Sequence, residues 1–365
     1  MNCRHLVLVL GDQLDRESAA LDAFDHARDR VLMIEARRES TRIRSHKART
    51  ALFLAAMRHH AGWLRDQGYP VTYLDLDHPA AESFTSGIRH LLQELTPQRL
   101  VVIEPGEYGV LAELRAVTDQ AGIELEIRPD QTFLCSTADF EHWRSSRKTL
   151  VMEHFYRWMR RRHDVLIRDD KPVGGKWNLD QQNRKSFGRK GPGLLPEPFG
   201  FAADDLTAAV LDAVERHFPD NPGHLDDFSW PVTREDALQA LDDFITHRLA
   251  AFGPYQDAMW DGEPYLYHSL ISAALNTKLL RPREVIDAAV AAHEAGDAPL
   301  QSVEGFVRQV LGWREYVRGI YWTEGPGYLE RNGLAADQPL PAFYWDADTE
   351  MRCLAGCIGQ TLETG

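Results

Sequence analysis

The chain has 365 residues, of which 44% are hydrophobic and 26% charged, and this length and composition describe a soluble globular protein with room for two domains. No apolar run reaches the roughly 18 residues that a membrane helix needs, and four scattered cysteines make no disulfide framework, so we expect a cytoplasmic monomer without a membrane partner. The net charge of −14 disfavours general affinity for nucleic acid, because phosphate binding depends on Lys and Arg.

The first 130 residues alternate between predicted strands and predicted helices. The strands are the apolar runs Leu6–Leu10, Val31–Glu35, Val71–Leu76, Leu100–Ile103 and Leu125–Arg128. Helical patterns occupy residues 45–66, 80–95 and 108–121. This alternation predicts an α/β domain over residues 1–130, with a doubly wound parallel sheet and ligands at the carboxyl ends of its strands. No G-x-G-x-x-G motif is present, so an ordinary NAD enzyme is disfavoured.

Polar residues follow the first two predicted strands, where a crevice should open. Asp12, Gln13, Glu39 and His46 would offer hydrogen-bond donors and acceptors to a polar heterocycle. The alternative is that these side chains only cap the ends of strands and helices.

Residues 131–230 are predicted to form a connector that contains a basic insertion. Fourteen Lys and Arg and seven Asp and Glu fall within residues 141–200, which gives this segment a net charge of +7. Arg and aromatic side chains share a predicted helix there, a combination that suits phosphate contacts and base stacking. A solvated surface is the alternative. Residues 194–230 are rich in Pro and Asp and are predicted to be irregular. The candidate DNA contacts are Arg157, Arg160, Arg161 and Lys185.

From Arg234 onward the pattern is helical. Predicted helices span residues 234–250, 254–261, 269–277, 282–295 and 302–321, without alternating β-branched runs. We therefore expect residues 231–365 to form an all-helical domain.

Residues 255–322 carry the features around which this second domain is organised. His268, Ser269 and Ser272 lie in a turn that runs into a predicted helix, and hydroxyls and free N–H groups at a helix start suit a phosphate. The helix over residues 302–321 interleaves an apolar stripe with polar side chains, among them Gln309 and Arg314. Together the two segments could hold a large nucleotide cofactor. An ordinary helical hairpin with a capping serine and a solvated polar face is the alternative.

Two motifs of this region resemble those of a known family. YHSLISAALNTKLLRPREV is similar to the flavin-phosphate segment of photolyases and cryptochromes, and FVRQVLGWREYVRGIYW is similar to their WRE helix. With GGKWNLDQQNR upstream, the chain most resembles the iron–sulfur bacterial cryptochromes and photolyases, the prokaryotic (6-4) photolyase type, from residue 6 to its last residue. The resemblance implies an N-terminal antenna domain, a helical FAD-binding domain and an FAD held by Tyr255, His268, Ser269, Leu270, Ile271, Ser272, Gln309, Trp313 and Arg314.

The same resemblance implies a function. Blue light would drive repair of pyrimidine dimers or (6-4) products in UV-damaged DNA by electron transfer from reduced FAD. A 6,7-dimethyl-8-ribityllumazine antenna would bind at Asp12, Gln13, Glu39 and His46, and Trp345 would lie near the flavin, unless it is an ordinary core aromatic. A cryptochrome-like photoreceptor with a protein partner and a catalytically silent pigment-binding fragment are the alternative functions.

The cysteines near residue 365 bear on an iron–sulfur cluster. Cys353 and Cys357 are four residues apart on a predicted helix, and their spacing alone favours two buried free thiols. In the resembled family, Cys353 matches the first of four ligands of a [4Fe–4S] cluster. The other three ligands and the His pair of the repair centre would lie beyond Gly365, so we expect a C-terminally truncated member in which the cluster and the photolyase repair centre are incomplete and repair is impaired.

Overall fold

A computed structural model of the protein describes residues 3–365, which fall into two compact units. The first unit contains the residues up to Pro129, Gly200–Thr233 and Leu329–Gly365. The second unit contains Asp130–Phe199 and Arg234–Tyr328. Residues 131–199 of the predicted connector lie in the second unit, and residues 200–230 lie in the first.

The first unit is built on a sheet of five parallel strands. The strand order is β3-β2-β1-β4-β5, and Val7 of the central strand lies beside Val31 and Val101. Helices connect the strands, as parallel pairing requires. The expected α/β class with a doubly wound parallel sheet is confirmed. The strands are β1 (His5–Leu8), β2 (Arg30–Ile34), β3 (Val71–Leu74), β4 (Arg99–Ile103) and β5 (Glu124–Arg128).

The α-helices of the described chain alternate with these strands and then dominate. They are, in order, α1 (Arg37–Thr41), α2 (Lys47–Asp66), α3 (Phe84–Glu94), α4 (Tyr108–Ala121), α5 (Thr137–Ser145), α6 (Met152–His163), α7 (Asp205–His217), α8 (Arg234–His247), α9 (Leu249–Tyr255), α10 (Ser272–Thr277), α11 (Pro282–Ala295), α12 (Leu300–Val307), α13 (Glu315–Glu324), α14 (Phe343–Asp346) and α15 (Arg352–Thr364). None of the helices within residues 3–365 is long and apolar enough to cross a membrane.

The core of the first unit follows from the alternation of side chains along the strands. Leu6 and Leu8 point to one face of the sheet, where they pack in a buried cluster with Ile88 of α3 and Leu114 of α4. Val7 points to the other face and packs in a separate cluster with Val101. Burial on both faces explains why the inner strands β1, β2 and β4 are continuous apolar runs. The edge strands β3 and β5 are only partly buried, and they contain polar residues.

One helix of the first unit was not expected. Residues 194–230 were predicted to be irregular, but α7 (Asp205–His217) lies within them, so this part of the prediction is wrong. Asp204 caps the helix by accepting a hydrogen bond from Thr207 N at 2.8 Å, and Val210 and Val214 form its buried face. The prolines and aspartates on either side concealed this short amphipathic pattern.

In the second unit, two predicted helix boundaries are wrong for backbone reasons. The helix predicted over residues 254–261 ends early, because α9 stops at Tyr255 and the chain then turns, with Ala258 N donating to Tyr255 O. The helix predicted from residue 269 starts only at Ser272, because Leu266 and Leu270 have φ values of 45° and 58° that no α-helix contains. A small hairpin, β6 (Ile167–Arg168) with β7 (Lys171–Pro172), was not predicted.

The helix predicted over residues 302–321 is confirmed and is longer than expected. It runs from Leu300 through α12 and α13 to Glu324. Its middle, Arg308–Arg314, is wound as a π-helix, and this segment carries Gln309, Trp313 and Arg314. Such π segments are rare and often occur at functional sites.

Candidate cofactor and nucleic-acid sites

A cavity of about 260 Å³ opens at the carboxyl ends of the central strands of the first unit. The chain reverses its direction across the sheet here, since β2 lies on one side of β1 and β4 on the other. Ligands of doubly wound folds bind at this switch point. The walls come from the ends of β1, β2 and β4 and from α2, and they include Gly11, Asp12, Glu35, Glu39, Arg49, Phe53, Met57, Pro105, Gly106 and Glu107.

Glu35 forms a fixed polar wall of this cavity. Its buried carboxylate accepts hydrogen bonds from Arg58 Nε at 2.7 Å, from the Tyr73 hydroxyl at 2.6 Å and from Leu76 N at 2.8 Å. The pKa of Tyr73 lies well above its usual value, mainly because the phenol is buried and also because the Glu35 carboxylate is close to it. The charge of Glu35 is thus compensated by the protein itself, and its orientation is set by three partners.

Of the four predicted antenna residues, two line the cavity and two do not. Asp12 and Glu39 line the cavity, and burial raises the pKa of Glu39. Gln13 lies beside it but is buried, with Nε2 donating to Ile103 O at 3.0 Å. His46 caps α2 by accepting from Ala48 N at 3.1 Å, and its ring lies against Gly223. The sequence analysis missed the cavity residues from α2 and from the loop after β4. In doubly wound sheets the fourth strand lies beside the first, and this strand order could have indicated that the loop after β4 borders the same cavity.

In the second unit, Arg314 connects the π segment to α10. Its Nη2 donates to Leu275 O at 3.1 Å, and its guanidinium lies over the Phe133 ring at 4.2 Å from the centroid. Its Nε and Nη1 are buried and have no hydrogen-bond partner among the described residues. Burial lowers the pKa of Arg314. A buried guanidinium with two unused donors suits a ligand that brings acceptor atoms or negative charge.

The remaining predicted flavin contacts occupy the turn before α10 and the π segment. Tyr255 is stacked between Phe187, at 4.6 Å between centroids, and Tyr267, at 5.7 Å. The His268 ring meets Phe252 edge-on at 6.2 Å; the residue as a whole is exposed, and partial burial of its ring lowers the pKa of His268. Of the others, Ile271 is buried, Ser269 and Leu270 are half-buried, and the exposed residues are Ser272, Gln309 and Trp313.

The candidate DNA contacts of the basic insertion differ in how far they are exposed to solvent. Arg160 is buried with 1% of its surface exposed, and its guanidinium donates to the carbonyls of Val165, Leu166 and Trp177. It therefore holds the loop after α6 and is not exposed for a phosphate contact. Arg161 is exposed and lies over the Trp177 ring at 4.4 Å.

The other two candidate DNA contacts are accessible. Arg157 is half-buried and pairs with Glu153 at 2.9 Å. The Lys185 side chain is exposed, while its backbone N donates to Pro254 O at 2.9 Å and fixes the loop. Arg157, Arg161 and Lys185 thus remain candidates for contacts with a nucleic-acid backbone.

Cys353 and Cys357 are both exposed on α15, so the interpretation of two buried thiols is wrong. Among residues 3–365, no group of three or more His, Cys, Asp and Glu side chains is arranged to hold a metal ion. A [4Fe–4S] cluster needs four ligands, and the residues present do not fit it. Trp345 on α14 is 69% exposed, so the alternative of a core aromatic is also wrong.

The fold is that of a photolyase. A crystal structure of a bacterial class III photolyase from Agrobacterium tumefaciens superposes with a TM-score of 0.60 over 99% of this chain and 69% of that chain, at 15% sequence identity. The sequence matches the family described as deoxyribodipyrimidine photo-lyase-related protein over residues 7–230. The chain therefore belongs to this family, which confirms the resemblance identified from its motifs.

Two individual relatives show how far the similarity extends. A (6-4) photolyase from Agrobacterium fabrum is 45% identical over 360 residues, which are 98% of this chain and 70% of that protein. An uncharacterized protein of Acanthamoeba polyphaga mimivirus is 26% identical over 140 residues, which are 37% of this chain and 69% of that protein.

Proposed function

We propose that this protein is an FAD-dependent DNA photolyase that repairs UV-induced pyrimidine lesions under blue light. The observation that carries the proposal is the Arg314 guanidinium, which is buried at the junction of α10 and the π segment with two unused N–H donors. The 45% identical relative is a (6-4) photolyase, which favours the (6-4) product over the pyrimidine dimer as the lesion.

The residues of this unit fit a flavin nucleotide. Bound FAD would supply the light-driven electron transfer to the lesion. Arg314 would place a fixed positive charge and two N–H donors at the ring system, which favours an anionic, reduced ring over a neutral one. The hydroxyls of Ser269 and Ser272 would donate to the diphosphate, and the Tyr255 stack would form an apolar wall.

The exposed basic residues would hold the DNA. Arg161 and Lys185 would neutralise phosphates, as this type of contact requires Lys and Arg in reach of the backbone. Arg161 is oriented by its stacking on Trp177, so less side-chain entropy would be lost on binding. A lesion must leave the duplex to reach a buried cofactor, and this step would rely on backbone contacts of this kind.

The cavity of the first unit would hold the antenna pigment. A 6,7-dimethyl-8-ribityllumazine presents ring N and O atoms, and Asp12 and Glu39 would meet them from the ends of neighbouring strands. Burial raises the pKa of Glu39, so protonation of this carboxyl on pigment binding would cost less than protonation of an exposed glutamate.

The test is repair by the purified full chain after incubation with FAD and a reductant. A duplex oligonucleotide with one (6-4) product is illuminated with blue light, and restored pyrimidines are quantified by chromatography. Light-dependent restoration is expected. Flavin binding without any restoration would favour a cryptochrome-like photoreceptor, and a chain that binds no flavin would overturn the proposal.

A further inference from the structure

Glu315 holds a short loop segment against the helix that carries Arg314. It is the first residue of α13, directly after the π segment, and 1% of its surface is exposed. One carboxylate oxygen accepts a hydrogen bond from Leu134 N at 3.1 Å, and the other accepts from Cys135 N at 3.0 Å. The loop segment Thr132–Cys135, which we call the strap, is thereby fixed at two successive backbone groups.

The strap carries the aromatic ring on which Arg314 rests. The Phe133 ring lies between the guanidiniums of Arg314 and Arg318, each 4.2 Å from its centroid. Arg318 Nη1 also donates to Cys135 O at 3.3 Å. Stacking on the Phe133 ring and the hydrogen bond from Nη2 to Leu275 O together hold the Arg314 guanidinium, so the position of the ring contributes to where its free donors point.

The beginning of the strap is anchored independently of Glu315. Asp130 accepts from Thr132 N at 2.9 Å and forms a buried ion pair with Lys278 Nζ at 2.9 Å. Movement of the strap is therefore limited at one end by Asp130 and at the other end by Glu315.

We propose that Glu315 is a positioning residue, which sets the direction of the Arg314 guanidinium through the strap and the Phe133 ring. The inference rests on the proposed function in one respect, because the donors of Arg314 matter only if they meet a flavin. It adds a role for a carboxylate that would not touch the cofactor itself.

The same helix provides a matched control. Glu304 is also buried, and its carboxylate accepts one backbone hydrogen bond, from Leu179 N at 3.1 Å. It holds a different loop and has no contact with the strap among the described hydrogen bonds. A Glu304→Ala variant therefore removes a comparable buried carboxylate from the other side of the π segment.

The first experiment measures how often the strap opens, with the Cys135 thiol as a built-in reporter. Cys135 is buried, whereas Cys353 and Cys357 are exposed and should react at once. The full chain is treated with iodoacetamide at fixed pH, and modification of each cysteine is followed by mass spectrometry. Glu315→Ala should speed the labelling of Cys135 by about tenfold or more, because two buried N–H groups lose their acceptor. Glu304→Ala should leave this rate within about twofold of the wild-type rate, which is the ordinary scatter for a distant change.

The second experiment measures FAD affinity by titration of the flavin-free chain. Glu315→Ala and Phe133→Leu should each weaken FAD binding by about tenfold, while Glu304→Ala should not. Phe133→Leu keeps Glu315 and most of the apolar volume, so it tests the ring even if Glu315→Ala folds poorly.

The outcomes separate this inference from the proposed function. Equal Cys135 labelling in Glu315→Ala and Glu304→Ala would overturn the inference, whether or not FAD binds. Faster Cys135 labelling with unchanged FAD affinity would also overturn it, because Arg314 would then be oriented without the strap. Wild-type protein that binds no FAD would instead overturn the proposed function, and the labelling comparison would still decide the role of Glu315 in holding the strap.

Discussion

Asp130 and Lys278 form a buried ion pair, with Lys278 Nζ 2.9 Å from Asp130 Oδ2 and both side chains about 5% exposed or less. Lys278 ends α10 in the left-handed region, with φ of 65°. The pair therefore joins the end of α10 to the loop that leads into the strap. Burial raises the pKa of Asp130, but Lys278 and Thr132 lower it by more, so its pKa lies below the usual value.

Removal of one partner should be costly. Asp130→Ala would leave the Lys278 ammonium buried without its counter-charge, which is expected to lower the free energy of unfolding by about 3–5 kcal/mol. The exposed pair of Arg283 with Asp287 is a suitable control, and Asp287→Ala should cost less than about 1 kcal/mol. Urea unfolding at pH 7 measures both. Equal effects in the two variants would contradict the assignment of a structural role to the buried pair.

Glu315 should make stability depend on pH. Burial raises its pKa to about 7, although the N–H groups of Leu134 and Cys135 and the charges of Arg314 and Arg318 lower it. The other ionisable groups around the strap include the Cys135 thiol, whose pKa burial raises to about 12, with Asp139 and Arg162 beside it. His163 also contacts the strap, through the backbone of Leu134, and burial lowers the pKa of its ring. Burial therefore shifts the pKa of Glu315 up and that of His163 down, so the two groups contribute to the pH dependence with opposite signs.

The sign follows from the proton count. The usual pKa is 4.5, so between about pH 4.5 and 7 the folded chain keeps a proton that the unfolded chain releases. The free energy of unfolding should therefore fall as pH rises through this window, by up to about 3 kcal/mol. Glu315→Gln should remove this slope from the difference between urea unfolding at pH 5 and at pH 8. A slope that is unchanged in the variant would show that another group titrates.

Two neighbouring arginines of α6 should behave in opposite ways. Arg161→Ala should weaken binding to duplex DNA and lower the slope of log Kd against log salt concentration by about one, because one phosphate contact is lost. Arg160→Ala should mainly lower stability, since the carbonyls of Val165 and Trp177 lose their Arg160 donor and the Leu166 carbonyl keeps only its bond from Val173 N. Salt titrations of DNA binding, with Arg283→Ala as a surface control, separate the two effects. An unchanged salt slope for Arg161→Ala would place the DNA elsewhere.

The sheet of this protein could be predicted because its signal is local. The inner strands β1, β2 and β4 are buried on both faces, so they appear in the sequence as short apolar runs. Helix α4 ends where expected because Gly122 takes φ of 66° after it. The strand ends then indicated Asp12 and Glu39, which the structure places in one cavity. Which way a side chain turns at a strand end depends on neighbours far along the chain. Gln13 was expected in the cavity but donates to Ile103 O, 90 residues away.

The backbone irregularities around the flavin candidates could not be predicted in the same way. The spacing of apolar residues indicated a helix over residues 302–321, but a π segment changes this spacing by only one residue and leaves the apolar stripe recognisable. Positive φ at Leu266 and Leu270 has no glycine to mark it. Glu315 was passed over because a carboxylate within WRE reads as part of a polar face, and its burial depends on the strap 180 residues earlier.

The most direct measurement on the central claim is a flavin titration of the full chain and of Arg314→Met. We predict one tightly bound FAD per wild-type chain, and at least tenfold weaker binding by the variant, because a methionine fills the same space without the charge or the donors. Arg283→Met is the matched control and should bind FAD like the wild type. Tight binding of one FAD by Arg314→Met, or no binding by the wild type, would contradict the account.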